Sequence, residues 1–283
     1  MTVALVTARA ARPLDADLPP LTAALNRRDV AHEVVVWDDP EVDWSRFARI
    51  VVRSTWDYAA RRGSFLAWAG RAAAAASLHN PLAVLRWNTD KRYLADLAAA
   101  GVAIVPTRWC VPGTSPEFPA GSFVVKPSVG AGSVGAARFA AHERAAATAH
   151  VARLHAAGQV ALIQPYLAAI ERHGETALVF FAGAFSHAVR KAAILVPGLR
   201  MVDGVHAAED IGPTTATAAE LALAAAALAA VPGRRELLYA RVDLVPDDDG
   251  QPRLLELELA EPSVFLGHAD GASDRFAAAI AGL

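Results

Sequence analysis

The sequence predicts an α/β protein that starts with a parallel, Rossmann-like sheet and continues with antiparallel strand pairs. Over residues 1–84, strand-length apolar runs alternate with helix-length segments, the pattern of a parallel sheet with crossover helices. Near the carboxyl end, Asp247-Asp-Asp-Gly250 separates two apolar runs and predicts a hairpin. The chain has 283 residues, 54% of them hydrophobic and 20% charged, so it can bury a large core.

In the N-terminal part we expect strands over residues 2–7, 32–37 and 49–53, and helices over 17–28 and 63–76. Pro19 and Pro20 fall in the first turn of the first helix, where proline is tolerated. Ligands of such sheets lie at the carboxyl ends of the strands. Here those ends carry polar residues, including Arg53, Ser54 and Asp57.

Beyond residue 84 the pattern is less regular. Asn88, Thr89 and Asp90 are typical helix caps and Gly101 a typical stop, so they predict a helix over 88–101. We expect further strands over 103–107, 122–127, 160–164, 176–182, 184–190, 237–245 and 252–259. We expect further helices over 140–157, over the Ala-rich segment 214–231, predicted to be buried, and from about 273.

Composition excludes several classes of protein. A net charge of −2 lacks the excess of basic residues typical of nucleic-acid binding, and no apolar run is long enough for a membrane span. A single cysteine, Cys110, excludes an intrachain disulfide framework, and the start of the chain lacks a cationic signal region. We therefore expect a cytoplasmic protein that binds neither nucleic acid nor membranes, and we leave a homodimer open.

The three lysines stand out, because Lys and Arg together number 27 and only Lys91, Lys126 and Lys191 are lysine. In an arginine-rich chain, a retained lysine can mark a place that needs a compact ammonium on a flexible stem. Chance retention is the alternative for any one of them. Lys191 follows Arg190, and this pair of cations fits either an anion site or a solvated surface.

Lys126 ends a predicted strand and precedes a loop of small residues that includes Ser128, Gly132 and Ser133. Small residues let backbone N–H groups approach phosphate oxygens, and a nearby ammonium neutralises their charge. Because the lysine precedes the glycines, this is not the P-loop pattern. A flexible hairpin tip is the alternative.

Arg241 and Asp243 alternate on one predicted strand, and Glu256 and Glu258 alternate on the next, so each pair shares a sheet face. Three carboxylates that converge across a hairpin form a hard oxygen site suited to Mg²⁺ with phosphate. The alternative is a polar sheet face on which Arg241 pairs with an acid. The apolar surroundings favour the metal site, since buried like charges need a cation.

Two further segments carry polar groups. Gln164, Pro165, Tyr166 and Leu167 follow an apolar strand, as a site for a flat ring would, and Glu175 could accept hydrogen bonds from ribose hydroxyls. Arg53 and Asp57 could read the carboxylate and ammonium of an amino acid, with Ser54 beside them. The alternative is a structural turn with Trp56 and Tyr58 packed below it.

In this order, these residues resemble the ATP-grasp superfamily of carboxylate–amine ligases, in its glutathione-synthetase-like branch. The resemblance implies an ATP-grasp fold with an N-terminal Rossmann-like domain at 1–84, a central lid domain at 105–165 and a C-terminal α+β domain formed by 85–104 and 166–283. It implies ATP and Mg²⁺. Lys91, Lys126 and the loop would hold the phosphates, residues 164–167 and Glu175 the nucleoside, and Asp243, Glu256 and Glu258 the metal.

More narrowly, four motifs resemble the cycloserine-forming cyclo-ligases, which close O-ureidoserine on itself. They are Arg53-Ser-Thr-Trp-Asp57-Tyr, Asn88-Thr-Asp-Lys91, Phe185-Ser-His187-Ala-Val-Arg190-Lys191 and Glu256-Leu-Glu-Leu-Ala-Glu-Pro-Ser263. The resemblance implies that Arg241, Arg190 and Lys191 are catalytic and that a small amino-acid-like substrate meets Arg53, Ser54, Asp57, Glu261 and Ser263. The sequence departs from the superfamily at Glu258, where Asn is usual, and at Pro165, which has no backbone N–H to donate to the nucleotide. An intermolecular ligase is the alternative reaction.

Overall fold

The computed structural model describes residues 2–192 and 210–283. These residues form three sheets of four, five and four strands, and most of the helices pack against them. No helix in these two ranges has the length and apolar character needed to cross a membrane.

The N-terminal sheet is parallel, and its strand order is β2-β1-β3-β4. Its strands are β1 Val3–Thr7, β2 His32–Val36, β3 Arg49–Ser54 and β4 Ser77–His79, and its helices are α1 Leu18–Arg27 and α2 Arg62–Ala75. β1 is buried along its whole length, as expected for a central strand covered on both faces. The predicted elements are confirmed, and β4 is an additional short edge strand.

Two short helices follow, α3 Leu82–Asn88 and α4 Tyr93–Ala99. The single predicted helix over 88–101 is therefore wrong at its start, because Asn88 ends α3 instead of capping α4. The Asn88 side chain bonds backbone groups far along the chain, the Leu257 carbonyl in a strand (2.8 Å) and the Leu259 N–H just after that strand ends (2.7 Å). The predicted stop is confirmed, since Gly101 has φ +85°, which favours glycine.

The second sheet is antiparallel with the order β5-β8-β6-β7. Its strands are β5 Arg108–Cys110, β6 Phe123–Pro127, β7 Ala137–Phe139 and β8 Ala161–Pro165, and α5 Arg144–Ala156 packs on it. The strand predicted over 103–107 is wrong: Ile104 makes only an isolated bridge with Leu254, and the strand that joins the sheet begins at Arg108.

The third sheet has the order β11-β10-β9-β12-β13, and all its neighbouring pairs are antiparallel. Its strands are β9 Glu175–Phe181, β10 Ala184–Lys191, β11 Ile211–Thr214, β12 Tyr239–Pro246 and β13 Pro252–Glu258. The helices around it are α6 Ile170–His173, α7 Ala218–Ala229 and α8 Ala272–Ala281.

Two details of this sheet bear on the sequence analysis. The turn between β9 and β10 has positive φ at Ala182 (+47°) and Gly183 (+78°), as a tight hairpin requires. The helix predicted over 214–231 is present as α7, which begins at a capping box between Thr217 and Glu220. Its expected burial is wrong, because α7 buries only Ala224 and Ala227. Alanine covers little surface, so a helix rich in it needs no burial on all sides.

Candidate active site

A cavity of about 780 Å³ lies where the three sheets approach one another. Most of the predicted site residues line it: Lys91, Lys126, Gly132, Ser133, Gln164, Pro165, Tyr166, Leu167, Glu175, Lys191, Arg241, Asp243, Glu256, Glu258, Glu261 and Ser263. The fold therefore brings together residues that are up to 172 positions apart, from Lys91 to Ser263. Ser128, Arg190, Arg53, Ser54 and Asp57 do not line it.

The acidic residues of β12 and β13 face the cavity in register. Arg241 pairs with Glu258 across the ladder, and Asp243 pairs with Glu256. The Arg241 guanidinium bonds the Asp243 carboxylate at 2.8 and 2.9 Å and also contacts Glu258. These contacts and burial act in opposite directions: Arg241 and Lys191 hold the pKa of Asp243 well below its usual range, whereas burial raises the pKa of Glu258 to about 7.

The donor set suits Mg²⁺, although no three acids among the described residues already stand at ligand positions. Besides Asp17, whose two oxygens accept from backbone N–H groups, five carboxylates line the cavity, those of Glu175, Asp243, Glu256, Glu258 and Glu261, against four Lys and Arg side chains, those of Lys91, Lys126, Lys191 and Arg241. Burial, together with Glu258 and Glu256, raises the pKa of Glu261 to about 8. This excess of hard oxygen ligands fits a divalent cation.

Lys191 joins two of the acids. Its ammonium lies 3.2 Å from the Asp243 carboxylate and also contacts Glu175, and all three side chains are buried. Burial raises the pKa of Glu175 to about 7 against the opposing effect of Lys191. Glu175 thus faces the cavity with part of its carboxylate occupied by a lysine, a partner that the sequence did not predict.

The other two lysines differ in their partners. The Lys91 ammonium lies 2.7 Å from Glu256 and donates to the Gly130 carbonyl at 2.7 Å, so it ties the small-residue loop to β13. The Lys126 ammonium has no hydrogen-bond or ion-pair partner among the described residues, and burial lowers its pKa. An enclosed, unpaired ammonium on a cavity wall is suited to an anion such as phosphate.

The small-residue loop after Lys126 has two left-handed residues, and both are residues that the sequence analysis assigned to the phosphate site. Gly132 and Ser133 have φ of +58° and +61° and line the cavity. Ser128 is placed differently, because its N–H donates to the Val160 carbonyl at 2.8 Å and its carbonyl accepts from the Lys91 N–H. The Ser128 N–H is therefore not available to donate to a phosphate.

The segment after β8 forms a second wall. Gln164 is held by a 2.9 Å hydrogen bond from its amide to Thr107, and the Arg138 guanidinium stacks 3.5 Å from the centre of the Tyr166 ring. The Leu167 N–H donates to no group among the described residues. It is therefore available to a ring nitrogen, in the way that the superfamily resemblance implies.

Arg190 lies on the opposite face of β10 from Lys191. Successive strand residues point to opposite faces, so the two cations cannot share one site. Arg190 instead donates to the His173 carbonyl at 2.8 Å. The structure thus contradicts the expectation that Arg190 and Lys191 act side by side on the same anion.

The three predicted substrate residues at the end of β3 and just after it do not line the cavity either. Arg53 is 1% exposed, lies 3.6 Å from Asp17 and donates to the Pro262 carbonyl at 3.1 Å. The Ser54 hydroxyl pairs with Thr7 at 2.8 Å, and Asp57 accepts from the Trp37 indole at 2.9 Å. The expectation that these three read the substrate is not met by their positions, since each is engaged within the protein.

The comparisons with known proteins show the family of the chain. A family model described as the N-terminal domain of D-cycloserine synthetase DcsG matches residues 3–80. The chain is 41% identical to the cycloserine biosynthesis protein DcsG of Streptomyces lavendulae over 99% of its own length and 97% of that protein. The chain belongs to the DcsG family.

Solved structures extend this likeness to the fold. The crystal structure of D-cycloserine synthetase DcsG superposes with a TM-score of 0.90 at 40% identity, and the match covers 100% of this chain and 99% of that one. ATP-grasp ligase PsnB, in a complex with a precursor variant, Mg and ADP, superposes with a TM-score of 0.65 at 19% identity over 99% of this chain and 97% of its own. The predicted ATP-grasp fold is confirmed, and this DcsG family member is an ATP-dependent carbon–nitrogen ligase.

Family membership draws attention to two cavity residues that the sequence analysis had treated as packing. Trp56 and Tyr58 both line the cavity, although Tyr58 is only 4% exposed. The Trp56 indole donates to the Glu261 carbonyl at 3.1 Å, and the Tyr58 hydroxyl has no hydrogen-bond partner among the described residues. In this DcsG family member, the aromatic residues beside Arg53, rather than Arg53, reach the cavity. The sequence signal that could have found them is their place, two residues apart, in the polar segment at the carboxyl end of a strand, where ligands of such sheets lie.

Proposed function

We propose that this ligase closes O-ureido-D-serine into D-cycloserine at the expense of ATP. The observation that carries the proposal is a single continuous cavity that holds an unpaired lysine, an arginine–carboxylate cluster and the free hydroxyl of Tyr58. Anion-binding groups and small-molecule recognition groups are thus within one enclosure. Full-length identity of 41% with a cycloserine biosynthesis protein supports the choice of substrate.

The first step makes the carboxylate of the substrate reactive. Its oxygen takes the γ-phosphoryl group of ATP, ADP departs, and the acyl phosphate has inorganic phosphate as its leaving group. Lys126 and Arg241 would neutralise the charge that accumulates on the transferred group, and a preorganised, buried charge is effective in this role. Asp243, Glu256 and Glu258 would hold Mg²⁺, which supplies further neutralisation of phosphate charge.

In the second step the nitrogen bonded to the side-chain oxygen attacks the acyl carbon, and phosphate leaves. The ring closes inside one molecule, so high effective molarity replaces a second substrate. Cycloserine lacks the carbamoyl group, and hydrolysis of that group to carbon dioxide and ammonia completes the balance. Lys191 would stabilise the oxyanion of the attack, and the enclosure of the site would keep water from the acyl phosphate.

Glu261 and Ser263 line the cavity together with Tyr58, and we assign them to the amino-acid end of the substrate. Residues 164–167 and Glu175 would hold the nucleoside. The need for ATP and the single cysteine, which is buried and free, support a cytoplasmic location for the reaction.

The test measures phosphate release with ATP and Mg²⁺ against single amino acids, including O-ureido-D-serine, with and without a second amine. Arg241→Lys should abolish turnover because its bidentate contact is lost. Arg190→Lys is the matched control and should retain it, since Arg190 points away from the cavity. Turnover that requires two substrates would replace the proposal with an intermolecular ligase.

A further inference from the structure

Asp17 is a buried acid at the start of α1 that does not cap its own helix. Aspartate at this position ordinarily accepts from the N–H of the second or third helical residue, and here no such bond forms. The two residues in question are Pro19 and Pro20, which have no N–H. The carboxylate is 5% exposed and must find other donors.

Those donors belong to the segment 262–266, nearly 250 residues away. The Asp17 carboxylate accepts from the Val264 N–H at 2.6 Å and from the Leu266 N–H at 2.7 Å, one bond for each oxygen. Arg53 lies 3.6 Å from the same carboxylate and donates to the Pro262 carbonyl. Two buried charged side chains, Asp17 before α1 and Arg53 in β3, thus hold this segment by three hydrogen bonds.

Phe265 lies between Val264 and Leu266, the two residues whose N–H groups donate to Asp17. Its φ is +50°, a left-handed conformation that is unfavourable for a bulky residue and persists only when its surroundings impose it. In this conformation its ring lies 5.3 Å from the Arg241 guanidinium carbon, and the neighbouring Ser263 carbonyl accepts from Arg241 at 3.0 Å. Two of the groups that fix Arg241 therefore come from the segment that Asp17 holds.

We propose that Asp17 is a positioning residue for the ligase reaction: it holds residues 264–266 so that Phe265 and Ser263 fix the Arg241 guanidinium toward the cavity. The proposal rests on the catalytic role given to Arg241 above. It also gives Arg53 a role, that of the countercharge which lets a buried carboxylate make this grip.

The test compares Asp17→Asn with Leu25→Ala, which removes a fully buried side chain from the same helix but none of the hydrogen bonds to the segment. Loss of a charged acceptor and of one of two hydrogen bonds should lower kcat by roughly ten- to a hundredfold, with the KM for ATP changed by less than about threefold. At temperatures where both variants are folded, Leu25→Ala should keep kcat near that of the wild type. A kcat for Asp17→Asn equal to that of Leu25→Ala would overturn the proposal.

A double-mutant cycle separates positioning from general destabilisation. Phe265→Gly removes the ring and also the backbone strain, so Asp17→Asn should cost much less kcat in that background than alone. Fully additive effects would overturn the proposal. Should Asp17→Asn fail to fold, Phe265→Ala alone decides, since it must lower kcat at an unchanged KM for ATP.

A readout that needs no turnover distinguishes this inference from the proposed function. Amide hydrogen exchange of the peptide that contains residues 262–267 should accelerate in Asp17→Asn and not in Leu25→Ala. If the wild type leaves O-ureido-D-serine unchanged and exchange is still faster in Asp17→Asn, the proposed function is refuted and the role of Asp17 in holding residues 264–266 is kept. Unchanged exchange in Asp17→Asn would refute that role alone.

Discussion

Replacing Lys191 by methionine removes the cation that two buried acids share. The side chains of Lys191 and Asp243 are 8% and 3% exposed and that of Glu175 is 12% exposed, so water cannot replace the lost ammonium. Loss of one partner of a buried ion pair costs about 3–5 kcal/mol. Arg241 still holds Asp243, which places the expected cost near the lower limit, ~3 kcal/mol, a large part of the ~5–15 kcal/mol typical of a domain.

A second substitution tests the cause of that loss. Glu175→Gln removes an acid whose charged form burial already disfavours, and it leaves Lys191 paired with Asp243. In the double variant the glutamine needs no cation, so about half of the stability lost in Lys191→Met should be recovered. The assay is urea unfolding without nucleotide. The quantity compared is the urea concentration at the midpoint, and it reports stability as long as the m value is the same in all variants.

Arg190→Met is the matched control, because it removes a neighbouring cation that faces the other side of β10. It should change the unfolding free energy by less than ~1 kcal/mol. A Lys191→Met cost equal to that of Arg190→Met, or no recovery on adding Glu175→Gln, would refute the account of a shared buried cation.

Three further outcomes are expected. Lys126→Met should raise the KM for ATP about tenfold or more without loss of stability, because the substitution leaves no buried acid unpaired. Lys91→Met should lower both the ATP affinity and the melting temperature, because it leaves Glu256 without its ion-pair partner. Asn80→Leu should cost ~3 kcal/mol or more in urea unfolding, because Asn80 is fully buried and its three hydrogen bonds reach the backbone of Leu238, Tyr239 and Leu259. Burial lowers the pKa of His187 below its ordinary 6.5, so the folded state binds fewer protons there. The stability that neutral His187 contributes is therefore fully present above pH 6.5 and is lost below it, and His187→Gln should remove this part of the pH dependence of the melting temperature.

The sequence predicted the elements that depend on local pattern. The alternating N-terminal segments and the hairpin around Asp247–Gly250 both follow from periodicity and turn chemistry. Elements fixed by distant partners were missed. β4, β7 and β11 are three or four residues long and exist because a neighbouring strand offers hydrogen bonds, and Asn88 has its partners at the end of β13 and just after it.

The site shows the same division. Residues on one strand or one hairpin, such as Arg241 and Asp243, could be placed from the alternation of side chains. The same rule would have separated Arg190 from Lys191, but neighbours in sequence were treated as neighbours in space. Arg53 has the chemistry of a carboxylate reader, and only its burial beside Asp17 shows a structural role. The Pro19-Pro20 pair was the sequence signal that Asp17 cannot cap its helix.

The central claim is that one substrate molecule supplies both the activated carboxylate and the nitrogen that attacks it. The decisive measurement is the mass of the product formed from O-ureido-D-serine, ATP and Mg²⁺ with no other amine present. Intramolecular closure predicts a monomeric ring with the mass of cycloserine, and one phosphate and one ammonia released for each ring. A product that joins two substrate molecules, or turnover only after a second amine is added, would contradict it.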